Sequence, residues 1–350
     1  MKKTSNYESA IALESRVNES SGPYTTLLDD ATEQFIQRLE VIEKRCADPA
    51  TDPESLFHET CQTMLDMGAA CEEFEQGVEH DKAVIHDAAL KFRGKTDRLI
   101  SKSHLLNHGR TWPNGHPGDH KIIEAVYQCT EMSGGLGFYL DKYFLFVITL
   151  AVAVRGRKER LCELLLAELS RRPGPRILDV ACGSCREVFE LAPAIQKSGA
   201  KVICIDTDTD ALDFSANRLS LAGLRGGDQV KFLKYNAIRM INHERNLKEF
   251  GLQDVIYSVG LFDYLDDAVL TRLLAALYTL LAPGGKLIAS YKDSRRYSTF
   301  DNRWLLDWDA FYQRTEEDMW SLYEKAGIPI NSITTIRENS GVILFFTATK

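Results

Sequence analysis

The feature that most restricts the fold of this chain is a buried strand that turns at once into a helix, at residues 176–187. The apolar run 177–181 ends in the small-residue turn 182–185, and a helix-compatible segment follows. Such a turn brings backbone N–H groups close to a bound ligand. A second apolar run, 201–205, ends in Asp206, whose carboxylate can accept hydrogen bonds from both hydroxyls of a ribose. Together these positions predict a site for a nucleoside cofactor.

Strand and helix patterns alternate from residue 176 onward. This alternation predicts a mostly parallel α/β sheet with right-handed crossovers. Only Ser340 and Gly341 separate the last two strands, so these form an antiparallel hairpin at one edge of the sheet. The predicted strands are 176–181, 201–205, 230–234, 254–259, 286–291, 333–339 and 342–347. The fold class is therefore a Rossmann-like sheet with a C-terminal hairpin, preceded by an all-helical domain.

A chain of 350 residues suggests two domains. Residues 1–23 are polar and are expected to be loose, and 24–106 show helical periodicity without any strand pattern. Residues 107–170 read as a Gly/Pro-rich loop, 107–120, followed by connecting helices. The sheet domain is expected to occupy 171–350. We expect the helical domain to form either a lid over the acceptor site or a dimerisation element. A homodimer is therefore one possible assembly.

Charge and apolar content restrict the partners. The chain has 42 Lys and Arg against 50 Asp and Glu, a net charge of −8, which disfavours nucleic acid as a partner. The first residues contain no apolar signal core, and the apolar run 143–154 is shorter than the ~20 residues of a membrane span. We therefore expect a cytoplasmic protein without a membrane span, whose eight cysteines are reduced.

Four predicted strands end in residues suited to hold a nucleoside, and in such sheets the ligand binds at these carboxyl ends. The candidates are 179–187 after the first strand, 206–208 after the second, 236–237 after the third and 260–264 after the fourth. A dinucleotide is disfavoured, because its G-x-G-x-x-G motif is missing. Glu187 also lies where a pyrophosphate would bind, whereas a sulfonium amino acid tolerates it.

The second half of the chain resembles the class I S-adenosylmethionine-dependent methyltransferases. Asp179, Ala181, Gly183 and Cys185 stand where that family has an acidic residue and three turn glycines, two of which are replaced here. Residues 281–287 resemble the turn before the fifth strand. The resemblance implies S-adenosylmethionine as the cofactor. The residues then expected to bind it are Asp179, Ala181, Gly183, Arg186, Asp206, Thr207, Asn236, Ala237, Gly260, Asp119 and Arg155.

The resemblance extends over roughly 107–350 to a bacterial subgroup identified with 3-hydroxypalmitic acid methyl ester biosynthesis. The segments that carry it are 115–119, 153–157, 181–187, 260–265 and 306–308. This subgroup implies O-methylation of a fatty-acid carboxylate.

Three residues are candidates for the reacting site, namely Asp263, Tyr264 and Tyr291. Asp263 could contact the cofactor or act as a base, and the two tyrosines could line the acceptor pocket. Equally, Asp263 and Tyr264 could begin a loop and cap the next helix, and Tyr291 could pack in the core. An ionised carboxylate acceptor needs no base, so the absence of a catalytic dyad is compatible with an enzyme.

Charged side chains near the predicted cleft offer further interpretations. Arg155, Arg157 and Arg186 could clamp a carboxylate of the cofactor or of the acceptor, because guanidinium–carboxylate pairs are bidentate. Asp119 could bind the cofactor's ammonium group, or could be a turn aspartate. Arg186, next to the turn, is the strongest candidate for mutation.

Two other patterns are given no functional role. His104, His108, His116 and His120 show i,i+4 pairs, but the glycines and prolines between them disfavour a metal site. The Cys-x-x-Cys at 182–185 is explained by small residues in the cofactor turn, so neither a redox pair nor a metal site is expected.

The favoured function is methyl transfer from S-adenosylmethionine to a small or lipid-like metabolite, at a carboxylate or hydroxyl oxygen. An alternative keeps the cofactor but lets its own amine attack its side chain, giving azetidine-2-carboxylate and methylthioadenosine, or transfers an aminocarboxypropyl group. A third hypothesis is a non-catalytic cofactor-binding protein.

Overall fold

A computed structural model describes residues 5–113, 115, 118–224, 227, 229–308 and 310–350, with 5–21 and 23 as backbone only. The chain divides into two compact units. Unit 1 comprises Met1–Pro117, Glu131–Ile148 and Ser298–Asp309, and unit 2 comprises Gly118–Thr130, Thr149–Tyr297 and Ala310–Lys350. The units are thus interleaved in sequence, whereas the sequence pattern predicts consecutive domains.

Unit 1 is helical. Its helices are α1 (Ser5–Arg45), α2 (Pro53–Gly77), α3 (Lys82–Ile100), α4 (His104–Thr111) and α6 (Leu136–Phe146), with a π-helical turn at Phe300–Leu305. Helix α1 begins at Ser5, within the stretch 1–23 that was expected to be loose, and residues 1–4 lie outside the described residues. Helix α4 extends into the predicted loop 107–120, so the first residues of that loop are helical. The side chain of Ser103 caps the first turn of this helix.

Buried aromatic side chains hold unit 1 together. Phe35 and Phe92 pack against each other, and the indole of Trp304 packs edge-on against Phe74 and Phe92. The indole N–H of Trp304 donates to Glu75 at 2.8 Å. Segment 298–309, assigned to the sheet domain from sequence, therefore contributes to the core of the helical unit.

Unit 2 contains a seven-stranded sheet in the order β3-β2-β1-β4-β5-β7-β6. Its strands are β1 (Arg176–Val180), β2 (Lys201–Asp206), β3 (Val230–Lys234), β4 (Gln253–Val259), β5 (Leu281–Lys292), β6 (Ile333–Arg337) and β7 (Ile343–Thr349). All seven match predicted strands, although β5 begins earlier and includes most of the predicted turn 281–287. Strand β7 is antiparallel to both its neighbours, so the antiparallel strand lies one position inside the edge formed by β6.

The helices of unit 2 follow the predicted alternation, with one break. Pro193 lies in the first turn of α9 and divides the predicted helix 186–198 into two. The helices are α5 (His120–Gln128), α7 (Thr149–Arg171), α8 (Arg186–Glu190), α9 (Ala192–Ser198), α10 (Thr209–Leu221), α11 (His243–Phe250), α12 (Asp267–Thr279) and α13 (Glu316–Lys325). An apolar core including Leu178, Ile256 and Leu287 fixes the sheet.

In the described part of the chain, no single helix is long and apolar enough to cross a membrane. Only α6 and α7 taken together reach that length and composition.

Candidate functional site

Three residues of the turn after β1 have the positive φ angles that glycine favours, although only one of the three is a glycine. Gly183 has a φ of 52°, and the two residues that replace the family's other glycines, Ala181 and Cys185, have φ angles of 62° and 46°. A non-glycine residue in this left-handed region is strained by roughly 1–2 kcal/mol. The turn therefore keeps its shape because surrounding contacts enforce it.

Those contacts come from β2 and α10. The N–H of Cys182 donates to the carbonyl of Ile205 at 3.0 Å. The N–H of Gly183 donates to Oδ2 of Asp206 at 2.9 Å, and the hydroxyl of Ser215 donates to the carbonyl of Gly183 at 2.9 Å. The other carboxylate oxygen of Asp206 accepts from the N–H of Asp208 at 2.9 Å. Asp206 thus fixes the turn and remains partly exposed at the end of β2.

Helix α5 covers one side of the same turn through Glu124. Its carboxylate lies 3.3 Å from the hydroxyl of Ser184, 3.4 Å from a guanidinium nitrogen of Arg186 and 2.5 Å from one of Arg218. Burial opposes ionisation of Glu124, but the bond from Arg218 and the charges of both arginines lower its pKa overall. Glu124 is therefore a buried anion between two cations.

Arg186 is already paired. It contacts Glu124 and also donates to Glu190 at 2.8 Å. To bind a ligand carboxylate, Arg186 would have to give up Glu124 and Glu190. Arg186 is therefore a weaker candidate for cofactor binding than the sequence suggested.

Beneath the turn lies a buried polar group formed by Asp179, Glu187 and Tyr257. The hydroxyl of Tyr257 donates to Glu187 at 2.8 Å. Burial, followed by the neighbouring charge of Cys185, raises the pKa of Glu187 to about 7. Burial and then the charge of Glu187 raise the pKa of Asp179. Asp179 is only 2% exposed, so the structure places it below the turn and not at its ligand-facing surface.

The ends of β2 and β3 present smaller groups. Thr207 and Asn236 are exposed, and Ala237 is buried. The side-chain oxygen of Asn236 accepts the N–H of Ile238 at 2.9 Å, so it caps its own short helical turn. These positions are at the strand ends where the sequence predicted them.

Asp119 begins α5 and is fully buried. Its carboxylate accepts from the N–H of Lys121 at 2.8 Å and of Ile122 at 3.2 Å, which is the geometry of a helix N-cap. The structure therefore gives Asp119 the capping role that was the alternative to binding an ammonium group. Asn114, His116 and Pro117 in this loop lie outside the described residues.

Arg157 lies where the sequence placed a carboxylate clamp. It is 6% exposed, and its Nη2 lies 3.4 Å from the hydroxyl of Tyr127. Its Nε has no hydrogen-bond partner among the described residues. Gly260 has a φ of 99°, and a Cβ there would lie 2.9 Å from Nη1 of Arg157. This glycine thus brings the end of β4 directly against the guanidinium.

Arg155 lies on the same helix as Arg157 and is partly buried. Both lie on α7, so the pair 155–157 comes from the helix that precedes β1. Arg157 was considered from sequence, but its partner Tyr127 has no recognisable motif.

The reacting corner predicted after β4 is organised by an ion pair. The ammonium of Lys292 lies 2.7 Å from Oδ2 of Asp263, and the side chains are 8% and 4% exposed. The same ammonium lies 4.6 Å from the ring centre of Phe311 and 5.5 Å from that of Tyr264. Tyr264 and Tyr297 both pack against Phe311. The corner is therefore aromatic with one buried, paired cation.

Tyr291 does not join this corner, so its expected role at the pocket is not retained. Its ring is 2% exposed and packs against Phe262, Tyr323 and Phe346. Its hydroxyl lies 3.2 Å from that of Tyr323. Successive residues of a strand face opposite sides of the sheet, so Lys292 and Tyr291 cannot share a pocket.

The structure thus brings the predicted residues of the turn, Asp206 and Gly260 to the carboxyl ends of neighbouring strands. It adds Glu124, Tyr127, Lys292 and Arg218, none of which belongs to a motif. Glu124 and Arg218 are charged residues on helices, where such residues usually face solvent, so their sequence positions gave no signal.

Residues 178–287 match a family model described as a methyltransferase domain. No curated protein matches the chain. Among solved structures, the chain is similar to a possible exported protein from Bordetella parapertussis, with 19% identity and a TM-score of 0.53. That likeness covers 93% of this chain and 96% of the other and shows a shared fold.

A second solved structure is magnesium protoporphyrin IX methyltransferase of Synechocystis PCC 6803 with bound SAH. It has 14% identity and a TM-score of 0.48, over 70% of this chain and 98% of the other.

The order of the sheet and the match over residues 178–287 identify a Rossmann-like methyltransferase domain within this chain.

Proposed function

We propose that this protein is an S-adenosylmethionine-dependent methyltransferase that methylates the carboxylate of an apolar, lipid-like acid to give a methyl ester. The observation that supports this most directly is the ion pair between Asp263 and Lys292, at 2.7 Å. Asp263 was the candidate base, and its charge is already neutralised by a buried ammonium. An acceptor that must lose a proton would need a free base, whereas a carboxylate is already ionised at neutral pH.

The residues around the turn fit the cofactor. Asp206 remains partly exposed at the end of β2, where it can accept from ribose hydroxyls. Asn236 and Ala237 offer a polar and an apolar edge for the base. Arg157, with its unpartnered Nε beside Gly260, offers a cation for the carboxylate of the aminoacyl end.

The aromatic corner suits an acceptor with an apolar body. Tyr264, Tyr297 and Phe311 supply apolar surface, and the paired charges of Asp263 and Lys292 leave no free base among them. Burial of an alkyl chain against such surface contributes roughly 0.8 kcal/mol per methylene. Affinity should therefore increase with chain length. Hydroxylated fatty acids, expected from the sequence resemblance, belong to this substrate class.

When bound, the cofactor supplies an electrophilic methyl group. The acceptor carboxylate would take this methyl group, giving the methyl ester and S-adenosylhomocysteine. The protein's part is orientation and exclusion of water, which can supply much of the acceleration of an in-line displacement. The rings of Tyr264 and Phe311 would keep water away from the acceptor oxygen.

The test is to incubate the purified enzyme with methyl-labelled cofactor and a series of saturated and 3-hydroxylated fatty acids of increasing length. The expected products are the methyl ester and S-adenosylhomocysteine in equal amounts, with kcat/KM rising with chain length. Labelled methanol released by mild base identifies an ester and separates it from an ether or an amine. Transfer confined to hydroxyl or amine acceptors, or formation of methylthioadenosine, would overturn the proposal.

Two variants sharpen the assignment of residues. Arg157→Gln should weaken binding of S-adenosylhomocysteine in calorimetry, because the ligand's carboxylate loses a cation. Arg160→Gln, three residues further along α7, is the matched control, because this arginine pairs with the exposed Glu163. Equal affinities for the two variants would remove Arg157 from the cofactor site without affecting the product assay.

A further inference from the structure

Three thiols meet beneath the turn after β1. Cys182 and Cys185 belong to the turn, Cys204 lies on β2, and the three side chains are close enough to influence one another. Cys185 and Cys204 are fully buried, and Cys182 is 8% exposed. Among the described residues all eight cysteines are free of disulfides. The cluster is therefore a reduced, enclosed group of soft ligands.

A carboxylate completes the group. A carboxylate oxygen of Asp179 and the sulfur atoms of Cys182 and Cys185 all lie within 4.8 Å of one another. Asp179 pairs in register with Cys204 on the neighbouring strand, so both side chains lie on one face of the sheet. Oδ2 of Asp179 is buried and has no hydrogen-bond partner among the described residues. An unpaired carboxylate oxygen at such a place is costly unless another ligand satisfies it.

We propose that Cys182, Cys185 and Asp179, with Cys204 beside the two thiols, form a binding site for a thiophilic divalent metal ion, Zn²⁺ being the best fit. Two cysteines separated by two residues are a usual zinc-ligand spacing. Zn–S bonds are about 2.3 Å, so atoms within 4.8 Å of one another can share one ion after small movements. Two thiolates and one carboxylate around the ion leave a net charge of −1.

The surroundings can balance that charge and hold the ligands in place. The guanidinium of Arg218, which donates to the carbonyl of Ser184, lies close enough to Cys185 to interact with its charge. The N–H of Cys182 is fixed by Ile205, and the N–H of Cys185 donates to the carbonyl of Cys182 at 2.9 Å. Because protein groups enclose the site on all sides, the ion would be structural and would stabilise the strained turn.

The experiment uses the untagged full chain, reduced with a phosphine in metal-free buffer. The protein is incubated with excess Zn²⁺, separated by gel filtration and analysed for zinc by mass spectrometry, without cofactor or acceptor. We expect about one zinc ion per chain. We also expect Co²⁺ to give the visible bands of a tetrahedral site together with a thiolate-to-metal charge-transfer band in the near ultraviolet.

Variants separate this site from surface binding. Cys182→Ser and Cys204→Ala should each reduce retained zinc towards the level of a protein-free blank. Cys129→Ser, at a partly exposed cysteine outside the cluster, should retain it. Because a variant could fold poorly, the wild-type protein gives an independent readout, namely a rise in Tm with added Zn²⁺, as binding to the native state requires.

The proposal is wrong if the reduced wild-type protein retains no zinc, or if its Tm does not respond to Zn²⁺. It is also wrong if Cys129→Ser loses as much zinc as Cys182→Ser. A disulfide between Cys182 and Cys185 that persists under phosphine, seen as a loss of two hydrogens in intact mass, would likewise contradict it. None of these outcomes depends on methyl transfer.

Discussion

Asp206 and Gly183 are joined by a hydrogen bond in which the backbone N–H of Gly183 donates to the Asp206 carboxylate at 2.9 Å. The residue proposed to hold the ribose therefore also holds the turn that carries the cofactor. Asp206→Ala should weaken cofactor binding by ~1–3 kcal/mol, since it leaves polar groups unpaired. Calorimetric titration with S-adenosylhomocysteine measures this. Asp210→Ala, at an exposed position on α10, is the control, and an unchanged affinity for Asp206→Ala would refute the assignment.

The strain at Ala181 predicts a stabilising substitution. Its φ of 62° costs roughly 1–2 kcal/mol in a non-glycine residue, whereas glycine loses about 0.5–1 kcal/mol of chain entropy on folding. Ala181→Gly should therefore increase the free energy of unfolding by up to about 1 kcal/mol, as measured by urea denaturation.

Ala222 provides the matched control for Ala181, because its φ of −79° is ordinary. The same substitution there should destabilise by about 0.5–1 kcal/mol. If both glycine variants lost stability equally, the left-handed conformation of Ala181 would not be strained.

The buried pair Asp263–Lys292 should depend strongly on both partners. Lys292→Met leaves an uncompensated buried carboxylate and should cost about 3–5 kcal/mol of unfolding free energy. The double variant Asp263→Asn/Lys292→Met should recover most of that loss, because no unpaired charge remains. A double-mutant cycle by denaturation measures the coupling. Additive losses in the two single variants would show that the pair is not coupled.

An exposed ion pair in unit 1 should contribute much less to stability than the buried pair Asp263–Lys292. Arg38 and Asp66 lie 2.5 Å apart, but their side chains are 41% and 49% exposed. Screening by water limits such a pair to about 0–1 kcal/mol. Asp66→Asn should therefore have little effect under the same conditions.

Asp301 should make the stability of unit 1 depend on pH. Burial raises the pKa of its carboxyl from 3.8 to about 6, partly offset by a hydrogen bond of 3.1 Å from Tyr143. The native state thus binds this proton more tightly than the unfolded state. The protonated carboxyl of Asp301 therefore contributes its full stabilisation below pH ~4, and this stabilisation is lost as pH rises through about 6. Asp301→Asn removes this dependence and should stabilise the protein at pH 7 by roughly 2–3 kcal/mol.

Thermal unfolding of wild type and Asp301→Asn from pH 4 to pH 8 checks this, with the two curves converging at the acid end. Asp87→Asn, an exposed position on α3, is the control and should run parallel to wild type. A constant difference between Asp301→Asn and wild type at all pH values would rule out the ionisation as its cause.

The sheet could be predicted from the sequence because its strands are apolar runs separated by amphipathic helices. The turn after β1 was also locatable, since Gly183 and Asp206 stand at the ends of adjacent parallel strands. The conformation of Ala181 and Cys185 could not be predicted from the sequence, because neither residue favours positive φ by itself. It depends on the bonds that Ile205, Asp206 and Ser215 make to the turn.

Other features depended on tertiary contacts. Tyr291 lies on a strand buried on both faces, and such strands show no alternation that would reveal which face a residue occupies. Segment 298–309 follows β5 in sequence, yet its Trp304 fills the core of the helical unit. The local periodicity of a sequence does not show that a segment packs in the core of a unit that is distant in sequence.

The place of β7 has a consequence for synthesis. This strand is the last in sequence, yet it lies between β5 and β6 and hydrogen-bonds with both. Until residues 343–349 have left the ribosome, β5 has a bare edge and β6 has no neighbour at all. Nascent chains of this protein should thus expose the unpaired edge of β5 from the time that β5 emerges until β7 follows it, a surface on which holding chaperones can act.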